Sequence, residues 1–110
     1  MSQNNCRSKN TLNLSCNLFA INSKERSYYY DLRNELSTYL SVKETTSGYT
    51  FIYPNRSSVL IKVVKWISYE YQCCPFIHFS INVSGESDVI EVDLTGNEVV
   101  RNLLKEEFNL

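Results

Sequence analysis

No C-x-x-C pair occurs in this sequence, and its single histidine, His78, gives no H-x-x-x-H, so the zinc-finger spacings are excluded. No run of Lys and Arg is present and the net charge is -1, which removes the clustered positive footprint that nucleic-acid binding needs. No apolar stretch approaches the ~20 residues that span a bilayer. Residues 1–10 lack an apolar core, so they read as a polar tail and not as a secretory signal, with the folded domain over 11–110. Internal repeats, low-complexity segments and linkers are missing as well. Four cysteines without an export signal point to thiols rather than to a disulfide framework, with the cytoplasm as the compartment.

What is present belongs to an ordinary globular domain, 43% hydrophobic and 21% charged. Its chemistry gathers at Tyr69-Glu-Tyr-Gln-Cys-Cys-Pro-Phe-Ile-His-Phe79. Upstream, Leu60, Val63, Val64, Ile67, Tyr71 and Cys74 recur at helical steps of three and four. Pro75 has no amide hydrogen and disfavours the α region before it, so the helix ends at or before Cys74. Downstream, Ile77, Phe79, Ile81 and Val83 alternate with polar residues, as on a half-buried strand. Cys73 and Cys74 therefore sit at a helix C-terminus, where the dipole disfavours a thiolate unless a cation or metal offsets it. Adjacent helical residues also point in different directions, so the two cysteines should not share one role.

The remaining elements follow in order. Thr11 to Ile21 alternates as a strand with Cys16 on its buried face. Asn22 or Ser23 caps a helix over 24–40 whose stripe is Tyr29, Leu32, Leu36 and Tyr39 or Leu40. Val42 to Thr45 and Tyr49 to Tyr53 form a hairpin around Thr46-Ser-Gly48, with glycine expected at positive φ. Asn55 or Ser57 caps the central helix. Ile77 to Val83 and Val89 to Leu94 form a second hairpin, and Thr95-Gly-Asn-Glu98 reads as the capping box of a last helix carrying Val100, Leu103, Leu104 and Phe108. The order β-α-β-β-α-β-β-α predicts a two-layer α+β domain, a mostly antiparallel sheet with helices on one face, as a ferredoxin-like variant. Pairing Val83 with Asp88 places Ile81 against Ile90, Phe79 against Val92 and Ser80 against Glu91. It also gives His78 a carboxylate neighbour in Asp93.

Leu14-Ser-Cys16, Arg26, Cys73-Cys-Pro-Phe76 and Leu94-Thr-Gly-Asn-Glu98 together resemble the pattern of a group of small, largely uncharacterised bacterial proteins, over roughly residues 12–105. That resemblance implies the fold and places Cys16 with Cys73 and Cys74 in one pattern; it implies no activity. Asn97 stands where that group tends to have proline.

Three readings follow. A cysteine-based centre for a soft metal or for thiol sensing would use Cys16, Cys73 and Cys74, with His78 as a fourth ligand and a thiophilic ion such as zinc or copper(I). Arg26, near the first-helix N-terminus, would stabilise a thiolate or bind an anion there. An enzyme would pair a cysteine with His78 and Asp93, although no glycine-rich oxyanion loop is present. An interaction module would expose Tyr49 or its neighbours, Phe19, Phe76 and His78 on an open sheet face, for a ligand, a partner or a homodimer.

Overall fold

The computed structural model describes residues 16–110. The polar tail over 1–10 and the first part of the expected opening strand lie outside the described residues. Residues 16–21 do not continue that strand: Leu18–Ala20 is a 3-10 turn, capped by the Asn17 side chain, which accepts from the Phe19 amide. Local capping by Asn17 competes with the alternating pattern and wins.

Helix α1, Ser23–Ser37, starts at Asn22, whose side chain accepts from the Lys24 amide, and it buries Tyr29, Leu32 and Leu36 as the spacing predicts. Strands β1, Ser41–Glu44, and β2, Gly48–Pro54, form the first hairpin. Gly48 does not have positive φ. Glycine is required there because a Cβ would collide with the Leu94 carbonyl oxygen. Helix α2, Ser57–Cys73, follows without a side-chain cap. Asn55 does other work: its Nδ2 donates to the carbonyls of Ser84 and Ser87, at 2.8 and 2.7 Å, and braces the distant loop. Strands β3, His78–Asn82, and β4, Val89–Thr95, precede α3, Glu98–Glu107. The cap of α3 is Asn97, accepting from the Val100 amide, while Thr95 stays in β4.

Among the described residues, the four strands make one antiparallel sheet in the order β1-β2-β4-β3, and the fold is a two-layer α+β domain. It varies the split β-α-β plan: β4 takes the central place beside β2 that a first strand would fill there. The core face carries Tyr49, Phe51, Tyr53, Ile90, Val92 and Leu94, all buried against Trp66, Leu36 and Leu104 from the helices.

Two further local expectations change. The second hairpin is shifted by two residues, so that His78 faces Thr95, Ser80 faces Asp93 and Ile81 faces Val92. A shift of two preserves every face, and its cause is β2. Pairing of Pro54 with Val89 and the Asn55 amide bond to the Asp88 carbonyl pull Asp88 away from Val83. On α2 the buried stripe is Val59, Val63, Trp66, Tyr69, Glu70 and Cys73, whereas Val64 and Tyr71 are exposed. The helix is apolar on two sides, and the side bearing Trp66 is the one that faces the sheet.

Candidate functional site

The site forms where the segment before α1 crosses the end of α2. The Asn17 amide donates to the Cys73 carbonyl at 2.9 Å, which fixes that segment against the last helical turn. Cys74 leaves the helical region at φ -128, as Pro75 demands. Cys16 then lies against Cys74, with Cα atoms 4.7 Å apart, and the two are joined by a disulfide. The expectation of free thiols is corrected for this pair. Cys73 is free and buried. The neighbouring cysteines thus part company, as side chains about 100° apart around a helix must.

One turn before Cys74 lies Glu70, a carboxyl 3% exposed on an otherwise apolar face. Its Oε2 accepts from the Tyr29 hydroxyl and from Trp66 Nε1, both at 2.9 Å. Its Oε1 faces Cys74 Sγ at 4.0 Å. That contact becomes a hydrogen bond only when the sulfur carries a proton. Tyr29 Oη accepts from Arg33 at 3.2 Å, and Arg33 donates to the Glu107 carboxylate and carbonyl at 3.0 and 2.6 Å. The guanidinium also rests over the Phe108 ring, 4.4 Å from its centroid. A polar chain therefore runs from the disulfide to a cleft of about 180 Å³, which Arg33, Leu40, Trp66 and Phe108 help to line.

Burial pushes the Glu70 carboxyl above its usual range, although Arg33 and the Tyr29 and Trp66 donors pull it down. Burial, and then the carboxylates of Glu70 and Glu107, push the Cys73 thiol up to about 12. Cys73 is therefore a neutral, inert thiol at physiological pH. The Tyr29 hydroxyl is raised by burial first and by Glu70 second.

Among the described residues, the ligand-type atoms of Cys16, Glu70 and Cys74 cluster within 4.8 Å of one another, although the two sulfurs offer no thiolate while they are bonded to each other. Cys73 and His78 are not part of it. His78 is exposed on β3, on the polar face of the sheet. Asp93 lies across from Ser80 and accepts from the Thr50 hydroxyl at 2.6 Å, so the cross-strand pair of His78 and Asp93 is not formed. Arg26 donates to the Ile21 carbonyl at 3.2 Å and lies over the Phe19 ring, bracing the segment before α1. Phe76 is half-buried against the core. Tyr49 is buried within it, and Phe19, though exposed, lies off the sheet. Lys43, Thr50, Glu91, Asp93 and Ser80 make the open face polar, which corrects the expected aromatic one.

Sequence reasoning missed Glu70, Tyr29 and Arg33. The signal for Glu70 was available: it lies four residues before Cys74 and four after Trp66, a charge on an apolar stripe. No helix among the described residues is long and apolar enough to cross a membrane. Compared with protein-family models, curated proteins and solved structures, the chain has no match.

Proposed function

We propose that this protein is a thiol sensor whose Cys16–Cys74 pair cycles between disulfide and dithiol. The observation that carries this reading is the placement of the disulfide between a half-buried Cys16 and a buried carboxyl, Glu70. A disulfide that only staples two segments needs no polar support. Burying a carboxyl beside one costs free energy, which a core of apolar residues would avoid. The half-buried position of Cys16 makes its sulfur the point of attack.

The co-reactant is a low-molecular-weight thiol. Its thiolate attacks Cys16 Sγ, the Cys16–Cys74 bond breaks, and Cys74 leaves and takes up a proton. A second thiol then attacks the mixed disulfide and releases Cys16 as a thiol. Two thiols are oxidised to one disulfide as the protein disulfide is reduced by two electrons. A sensor of this kind suits the cytoplasm, where disulfides are transient and signal oxidation. Opening the bond removes the covalent tie between the segment before α1 and α2, and the lost restraint is the output.

Trp66 is the single tryptophan, and its indole N–H is bonded to Glu70, so its emission reports on the centre. Equilibration in thiol–disulfide buffers, with thiol counting, should give one two-electron transition between folded forms. A pair that is reduced only when the chain unfolds would refute the sensor.

A further inference from the structure

We infer that the reduced centre binds one thiophilic divalent cation of the zinc class through Cys16, Cys74 and Glu70, so that disulfide and metal are mutually exclusive states of the same site. This rests on the sensing reading only in requiring that the pair exist as thiols.

The geometry points to it in three ways. First, the donor atoms of these three residues already lie within 4.8 Å of one another. A tetrahedral ion with bonds of about 2.3 Å to sulfur and about 2.0 Å to oxygen sets donors roughly 3.5–3.8 Å apart. The Cys74 Sγ to Glu70 Oε1 distance of 4.0 Å is close to that, and the two sulfurs, bonded in the disulfide, must part to it on reduction. Second, the carboxyl is oriented in advance. Tyr29 and Trp66 both bond to Oε2, which leaves Oε1 aimed at the sulfur, the outer-ring support that metal-binding carboxylates need. Third, the site sits at the C-terminal end of α2, where the helix dipole disfavours bare thiolates and favours a cation.

A divalent ion held by two thiolates and one carboxylate carries net -1; the nearby cation is Arg33, bonded to Tyr29 behind Glu70 and shared with the Glu107 carboxylate. Binding releases the protons of both thiols. Cys16 is only half-buried, so the fourth position opens toward solvent.

The test is metal uptake by the full chain refolded from the denatured, reduced state under reductant. Zinc and cadmium are titrated in turn, with stoichiometry read by native mass spectrometry and thiolate ligation by the cadmium charge-transfer band. One equivalent is expected in the reduced protein and none in the oxidised one. Glu70→Gln, whose amide preserves the shape, should weaken uptake by about tenfold or more. Cys73→Ser and His78→Ala should leave it unchanged. Absence of stoichiometric uptake overturns the inference, as does equal uptake by Glu70→Gln, or loss of uptake in Cys73→Ser or His78→Ala. If the native disulfide resists thiol buffers while the refolded reduced chain takes up metal, the sensing reading falls and the metal site stands.

Discussion

Opening the Cys16–Cys74 bond should lower the stability of the fold by an amount that its position in the chain fixes. The bond closes a loop between residues 58 apart in sequence. In the chain-entropy description that loop restricts the unfolded state by about 14 cal/mol/K, or about 4 kcal/mol at 25 °C. With the bond closed, the segment is also held by the Asn17 amide bond to Cys73 and by Ile21, 1% exposed in the core; these contacts do not use the sulfurs, so the loss is expected to act through the unfolded chain. Linkage converts the same energy into a potential. A bond that stabilises the fold by about 4 kcal/mol is harder to reduce in the folded chain than in the unfolded one by roughly 90 mV. Urea unfolding with and without reductant, followed by Trp66 emission, measures the first quantity. Equilibration in thiol–disulfide buffers with and without urea measures the second, and the two must agree. A stability difference below about 1 kcal/mol, or a folded potential no lower than the unfolded one, refutes the argument.

Replacing Glu70 by leucine strands the buried Tyr29 hydroxyl and Trp66 indole donors, and should cost about 3 kcal/mol in chemical denaturation, with Glu70→Gln costing less than half of that. The raised Glu70 carboxyl also sets a pH slope. Its contribution is fully present below the pKa it has in the unfolded chain, and is lost as pH rises from there through the folded value. Stability of the oxidised, metal-free protein should therefore decline over that range, with Tyr29, Arg33, Glu107 and Cys73 as its titratable neighbours, and Glu70→Gln should flatten the decline. Gly48→Ala drives a methyl into the Leu94 carbonyl at the end of the β2–β4 ladder, and thermal unfolding should show a loss of about 2 kcal/mol.

How much of this was legible in the sequence depends on which rule governed each element. Pro75 fixed the end of α2 by steric exclusion, and the Tyr29, Leu32, Leu36 spacing fixed the buried face of α1; both are local constraints and both hold. The β3–β4 register depended on a contact remote in sequence, the Asn55 bonds to the loop and Pro54 pairing with Val89, which alternation cannot supply. On α2, periodicity allowed two stripes. Leu60, Val64, Ile67 and Tyr71 form one, and Val59, Val63, Trp66 and Cys73 form the other. Only the sheet decides between them, and it takes the stripe with the larger ring.

The centre was half legible for the same reason. Cys16 and Cys74 fell into one pattern, but the third member was hidden because Glu70 lies on the stripe that was passed over. Its position would let one centre serve both states of the proposed cycle. Oε2 is bonded to Tyr29 and Trp66, neither of which bonds to the sulfurs, so the carboxyl should be held in place through the proposed cycle. Oε1 has Cys74 as its polar neighbour. In the disulfide it faces a sulfur with no proton to give, and in the dithiol it faces a donor or, once protons leave, a shared cation. Oxidation removes both thiolate ligands in one step while leaving the carboxyl in place. In the proposed cycle, release of the ion and closure of the loop from 16 to 74 would be one event at the junction of α2 with the segment before α1.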